Sequence, residues 1–114
     1  MNDALLERNY PNLIAGLWVR GRDRIENRNP ADTRDVVGYF ASASATAMAA
    51  ACDAASRAFS GWAATPAPAR GACLFRAADI LEGRFETVAA EMTREEGKTL
   101  AEARGEVRRS INIF

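Results

Sequence analysis

The sequence has 114 residues, of which 48% are apolar, and it carries 15 basic and 15 acidic side chains but no histidine. This length limits it to one modest domain, and the zero net charge argues against nucleic acid as the main partner, because phosphate binding needs surplus cations. The lack of histidine excludes a Ser/His/Asp or Cys/His catalytic set and removes the commonest metal ligand.

The first third of the sequence predicts a β-arm over residues 12–43, after an irregular polar segment at 1–12. The run "NLIAGLWV" (12–19) is rich in strand-forming residues, with Gly16 at a bulge or bend. Turn signals follow in "RGRD" and "NPAD", which separate two further strands. These two strands are expected at residues 25–27 and 35–43.

The rest of the sequence, residues 44–114, changes to a helical period. Ser44 is a candidate N-cap, and the apolar residues of the first helix recur at steps of four and three. The prolines of "TPAPA" (65–69) end this helix. The expected apolar face consists of Met48, Cys52, Ala55, Phe59 and Trp62.

Two more helical stretches follow, and glycines divide them. A helix is expected from about Arg70, with Gly83 interrupting it, and Gly97 is a natural left-handed C-cap before the cap residue Thr99. The apolar stripe of the middle stretch is Leu74, Ala78, Leu81, Phe85, Val88 and Met92, and that of the last helix is Leu100, Ala103, Val107, Ile111 and Phe114. The opposite face of the last helix carries Glu102, Arg104, Glu106, Arg108 and Arg109, which we interpret as solvated.

The apolar stripes exceed what this chain can cover by itself. Burying one Leu, Val, Ile or Phe side chain contributes roughly 1.5–3 kcal/mol, so each stripe needs a partner surface. Alanine supplies much of the apolar content and buries little area per residue. We therefore expect the missing cover to come from polypeptide beyond Phe114.

Catalytic motifs are mostly absent from the sequence. No glycine-rich phosphate loop follows a strand. The pair Glu95 and Glu96 is interpreted as a solvated helix end, and acid–base work by paired carboxylates is the alternative. The basic stretch "RGRDR" (20–24) lacks interleaved aromatic residues and is interpreted as a solvated loop.

The cysteines and the start of the sequence bear on the compartment. Cys52 and Cys73 have neither CxxC spacing nor histidine partners, which excludes zinc and thioredoxin-type sites, and we expect buried structural thiols. The start lacks a basic stretch followed by an apolar run, and no apolar run approaches membrane-spanning length. We expect a cytoplasmic protein without a membrane partner.

The order of segments resembles the N-terminal region of the NAD(P)-dependent aldehyde dehydrogenase superfamily. The landmarks are the "GLWV" strand, the "NP" turn, the "AF..W" helix end, "L..AADIL" and "E.GK…EA..EV". Together they cover residues 12–114. The segment "REEGKTLAEARGEVRRSINIF" is most similar to the branch of the family that acts on ketoglutaric semialdehyde (2,5-dioxopentanoate), with succinate semialdehyde dehydrogenases next.

This resemblance implies an α/β fold in which the β-arm (12–43) precedes three or four amphipathic helices (44–114) of a Rossmann-like cofactor domain. It implies a longer enzyme, a homodimer or homotetramer, that oxidises an aldehyde with NAD or NADP. In the family a cysteine thiolate attacks the aldehyde and a glutamate activates the water that releases the acid. Those residues follow the region covered here, so no catalytic or cofactor-binding residue is assigned, and Cys52 and Cys73 match noncatalytic positions.

One site is implied by the resemblance within this segment. Some family members bind a structural monovalent cation through backbone carbonyls before the "NP" turn and an acidic residue before "GK". The matching positions are Asn27, Arg28 and Glu96. Carbonyl and carboxylate oxygens suit a hard cation, and an ordinary turn beside a helix cap is the alternative.

Two other function classes compete with the enzyme. The chain could be a free-standing helical module that docks its open stripe (Val107, Ile111, Phe114) on a partner protein. It could also be an arginine-rich nucleic-acid binder, which the neutral charge disfavours.

Overall fold

The computed structural model describes residues 9–114, which form five short strands followed by four helices. This order confirms the predicted α/β class. The strands are β1 (Asn9–Tyr10), β2 (Asn12–Ile14), β3 (Leu17–Val19), β4 (Arg24–Arg28) and β5 (Val36–Ala41). The helices are α1 (Ala45–Ala64), α2 (Ala67–Gly83), α3 (Phe85–Glu96) and α4 (Leu100–Ile113). None of these helices is long and apolar enough to cross a membrane.

The described chain separates into two compact units. The first unit contains the described residues up to Arg28 together with Arg34–Ala64, and the second contains Asn29–Thr33 and Thr65–Phe114. The first unit therefore holds all five strands and α1, and the second holds α2, α3 and α4.

A three-stranded sheet in the order β1–β5–β4 organises the first unit. Strand β4 pairs antiparallel with β5, and β1 pairs parallel with β5 on its other side. The Tyr10 ring stacks on Phe40 at a centroid distance of 4.7 Å. The prediction of an irregular segment at 1–12 is thus wrong for Asn9–Tyr10, which form a strand because β5 offers an edge for pairing. Residues 1–8 lie outside the described part of the chain.

The stretch 12–19 is a hairpin and not the single strand that was predicted. Strands β2 and β3 pair antiparallel, with Leu13 opposite Trp18. The connection is Ala15 and Gly16, whose φ angles of 51° and 78° are both positive. Positive φ at both central residues matches the twist of the flanking strands in a two-residue hairpin. The bend expected at Gly16 is thus a complete reversal of the chain.

Helix α1 follows its predicted limits, but its apolar stripe is exposed. The Ser44 hydroxyl oxygen accepts the Ala47 N–H at 3.1 Å, which confirms the predicted N-cap. No residue of α1 is buried. Phe59 is 69% exposed, and Met48, Cys52 and Trp62 are exposed as well. The described residues therefore leave the predicted buried face of this helix in solvent.

The prolines and Gly83 set the helix limits of the second unit. Helix α2 begins at Ala67, three residues before the predicted start, because Pro68 fits the first turn, where no backbone N–H is needed. It ends at Gly83, and α3 begins at Phe85, which confirms the predicted division.

Small side chains form the core of the second unit. Ala89 of α3 and Ala103 and Val107 of α4 are buried, with Val107 only 1% exposed. The partly buried residues packed on them are Leu81, Phe85, Val88, Met92 and Ile111. Most of the middle stripe is thereby confirmed, as are Ala103, Val107 and Ile111 of the last one. Leu100 and Phe114, at the two ends of the last stripe, are exposed because no described residue covers them. Leu74, at 46% exposure, was wrongly placed on the covered face, because it lies a turn or more before the part of α2 that packs.

The junction between α3 and α4 has two well-defined caps. Gly97 adopts φ 75° and its N–H donates to the Thr93 carbonyl, as predicted for a left-handed C-cap. The Thr99 hydroxyl accepts the Glu102 N–H, while the Glu102 carboxylate accepts the Thr99 N–H at 3.0 Å. A Cβ at position 97 would lie 2.8 Å from Pro30 Cγ, so glycine is required there by both conformation and space.

Replacing two glycines by alanine should have opposite effects on stability. Gly97→Ala forces a side chain into the left-handed region and against Pro30, and should lower the free energy of unfolding by roughly 1–2 kcal/mol. Gly105→Ala, inside α4 with open space around the new Cβ, should raise it by about 0.5–1 kcal/mol. Urea unfolding followed by circular dichroism at 222 nm measures both, and a shift of the same sign would contradict the assignment.

Candidate functional site

Both cysteines are exposed on helix surfaces, which corrects the expectation of buried thiols. Cys52 lies on the uncovered face of α1, and Cys73 lies on α2, where its thiol donates to the Ala69 carbonyl at 3.6 Å. The cause is the same for both: the described residues provide no layer over these faces. The 114 residues contain no histidine, so this chain itself supplies no imidazole base to either thiol.

The predicted cation ligands lie at the ends of two elements. Asn27 and Arg28 are the last residues of β4, where the pairing with β5 shifts register, and Glu96 is the last residue of α3 in the second unit. Arg28 Nε lies 2.5 Å from Glu26, and Lys98 Nζ lies 2.6 Å from Glu96. Within residues 9–114 no cluster of three His, Cys, Asp or Glu residues could hold a metal ion.

The charged groups of the second unit form ion pairs that link its helices. Arg108 of α4 pairs with Glu82 of α2, and Arg104 Nη2 lies 2.8 Å from Glu86 of α3. The Arg108 guanidinium also lies 4.8 Å from the centroid of the Phe85 ring, so its planar face covers part of the core. These pairs confirm that the polar face of α4 is solvated, and they give it a structural role.

Lys98 is the centre of a second group of charges. Its ammonium lies 2.6 Å from Glu96 and 2.7 Å from Glu106, and its side chain is only 18% exposed. The hydrogen bonds that the Lys98 ammonium donates to the carboxylates of Glu106 and Glu96 raise the pKa of Lys98 above its ordinary value. Because Glu96 is exposed and already paired, the observed geometry favours a helix end over a pair of catalytic carboxylates.

Two carboxylates of the second unit are held in their charged form. The hydrogen bond from Arg108 lowers the pKa of Glu82, and hydrogen bonds from the Thr99 hydroxyl and backbone lower the pKa of Glu102. A lowered carboxyl pKa contributes stability above the ordinary value, and this contribution is lost as the pH falls through the lowered value. The raised pKa of Lys98 contributes stability at pH values below its ordinary pKa, and this contribution is lost as the pH rises through the raised value.

The helical unit should therefore be most stable on a plateau bounded by these groups. Stability should decline below pH 4.5 as Glu82 and Glu102 become protonated, and again above pH 10.5 as Lys98 loses its proton. Urea midpoints measured by circular dichroism across this range test the prediction. Glu82→Gln with Glu102→Gln should make the acid decline shallower, and an unchanged acid decline would count against it.

A cleft in the first unit gathers residues that were not linked in the sequence. One part, of about 400 Å³, is lined by Tyr10, Pro11, Trp18 and Arg20. The adjoining part, of about 590 Å³, shares three of these residues and adds Gly21, Arg22, Arg24 and Tyr39 among others. The aromatic residues come from β1, β3 and β5, so only strand pairing could have brought them to the basic stretch 20–24.

The chain belongs to the aldehyde dehydrogenase family, whose model matches residues 18–114. It is 43% identical over 107 residues to alpha-ketoglutaric semialdehyde dehydrogenase of Bacillus subtilis, covering 92% of this chain and 22% of that relative. It is 41% identical to vanillin dehydrogenase of Corynebacterium glutamicum, covering 89% of this chain and 21% of that relative. The chain thus spans about a fifth of the length of these relatives.

A solved structure with the same fold is a NAD-dependent benzaldehyde dehydrogenase from Corynebacterium glutamicum. It superposes with a TM-score of 0.85 at 37% identity, covering 91% of this chain and 23% of that one. The short strands and four helices described here therefore follow the fold of the family, as the sequence resemblance implied.

Proposed function

We propose that this chain is the N-terminal portion of an enzyme that oxidises a semialdehyde to a carboxylic acid with NAD or NADP. The observation that carries the proposal is the family match over residues 18–114, supported by a fold that superposes with a TM-score of 0.85. The relatives span about five times this segment, so the activity is proposed for a longer polypeptide that contains it. The same match disfavours the free-standing interaction module and the nucleic-acid binder.

The role proposed for the segment itself is architectural. The chemistry of residues 9–114 consists mainly of caps, ion pairs and packing surfaces. The resemblance assigns the segment no catalytic or cofactor-binding residue. The exposed stripe of α1, with Phe59 and Trp62, supplies an apolar surface for further polypeptide to cover. In this proposal the β-strands and helices support a cofactor domain whose nicotinamide-binding residues lie elsewhere.

The proposed substrate is alpha-ketoglutaric semialdehyde. The proposal rests on the sequence of the last helix and on the Bacillus subtilis relative, which is an alpha-ketoglutaric semialdehyde dehydrogenase. An aromatic aldehyde is the second candidate, favoured by the vanillin and benzaldehyde dehydrogenases among the relatives. We also propose a homodimer or homotetramer in the cytoplasm for the whole enzyme, as the resemblance implies.

The structural monovalent cation also remains a proposal. The carbonyl oxygens of Asn27 and Arg28 and the carboxylate of Glu96 are donors that suit sodium or potassium. The Glu96 carboxylate also pairs with Lys98, so a cation there would share this carboxylate with the ammonium group. A structure of the whole enzyme in potassium, without ion density at these donors, would dismiss the site.

Activity measurements test the proposed function. NADH or NADPH formation at 340 nm should stay at background for the 114-residue chain with any aldehyde, because the catalytic residues lie outside it. A polypeptide of family length that contains this segment should turn over alpha-ketoglutaric semialdehyde faster than vanillin or benzaldehyde. Turnover by the 114-residue chain, or no turnover by the polypeptide of family length, would refute the proposal. Faster turnover of vanillin or benzaldehyde would instead identify an aromatic aldehyde as the substrate.

The two cysteines provide a separate test in the longer polypeptide. Cys52→Ser with Cys73→Ser should leave kcat within about twofold of the unmodified enzyme, because loss of a thiolate nucleophile would instead lower the rate by orders of magnitude. Steady-state kinetics with saturating cofactor measure the effect. A fall of a thousandfold or more would place the nucleophile in this segment.

A further inference from the structure

We propose that the cleft of the first unit binds a nucleoside monophosphate, with its ring on the aromatic part and its phosphate on the arginines. This site lies within the described strands and is independent of the proposed dehydrogenase function. Its combined lining includes three aromatic residues and three arginines: Tyr10, Trp18, Tyr39, Arg20, Arg22 and Arg24.

The two parts of the cleft differ in chemistry. The part around Trp18 is mainly apolar, and Trp18 itself is 69% exposed, so its ring face is available for stacking. The adjoining part is lined by all three arginines, and none of its described lining residues carries a carboxylate. A ligand that joins a planar ring to an anion matches this division, and each part has the volume of a small-molecule site.

The number of available cations favours a phosphate over a carboxylate. Arg24 is partly engaged, because it donates to the Asn9 side chain at 2.7 Å and lies 5.7 Å from the Tyr39 ring. Arg20 and Arg22 make no hydrogen bond or ion pair to any described residue. Two guanidinium groups without a side-chain partner among residues 9–114 suit the double charge and three oxygens of a phosphate monoester, whereas a single carboxylate is satisfied by one.

The backbone of the basic stretch is held in place before any ligand binds. The Ser42 N–H donates to the Asp23 carbonyl at 2.9 Å. At Gly21 an added Cβ would lie 2.6 Å from the Ser42 carbonyl oxygen, so the loop passes directly against the end of β5. On the aromatic side, stacking on Phe40 fixes the Tyr10 ring. An anchored loop and a fixed ring lower the entropy lost on binding.

Titration of the 114-residue chain with AMP, followed by isothermal calorimetry at low salt, tests this site. AMP should bind saturably, and at least tenfold more tightly than adenosine, inorganic phosphate or benzoate. Arg20→Gln with Arg22→Gln should weaken AMP binding at least tenfold. Arg57→Gln removes an exposed charge from α1 of the same unit and should change it less than twofold.

Three results would overturn the proposal. Absence of saturable AMP binding would do so directly. Equal weakening by Arg57→Gln and by the double variant would reduce the effect to general charge attraction. Benzoate binding as tight as AMP would replace the phosphate assignment by an aromatic carboxylate. Circular dichroism of each variant checks its fold, and Trp18→Ala, which alters no arginine, should independently weaken AMP binding at least fivefold.

Discussion

The helical unit of α2, α3 and α4 depends on the packing of α3 against α4 through alanine. Ala89 and Ala103 are fully buried, so the two helices approach closely enough for Val107 to fill the remaining space. The left-handed turn at Gly97 and the capping box at Thr99 hold this arrangement at the end where the chain joins the two helices. The ion pairs of Arg104 and Arg108 lie outside the core, where solvent screening limits what each contributes.

The same reliance on small residues leaves most large apolar side chains without cover. Only Val37, Ala89, Ala103 and Val107 are buried among the apolar residues of the described chain. Phe59 and Phe75 are each about two-thirds exposed, and α1 buries no residue at all. Such surfaces are typical of interaction faces, which agrees with the proposal that further polypeptide covers them.

Local signals in the sequence predicted the helices well. Ser44, Gly83, Gly97 and Thr99 each act within one turn of chain, so their roles could be assigned without knowledge of the fold. The hairpin at Ala15 and the pairing of β1 with β5 were missed, because alanine rarely adopts positive φ and a parallel pair depends on distant residues. The aromatic and basic cleft was also missed because it depends on residues far apart in the sequence: its aromatic residues come from three separate strands. The family resemblance gave what periodicity could not, namely the kind of enzyme to which these helices belong.

The central claim is that the exposed stripe of α1 is a packing surface for further polypeptide of an aldehyde dehydrogenase. Alkylation of Cys52 by iodoacetamide, followed by peptide mass spectrometry, tests it directly, because this thiol lies on that stripe. The account predicts rapid labelling of Cys52 in the 114-residue chain and at least tenfold slower labelling in a polypeptide of family length. Equal rates in the two proteins would contradict it.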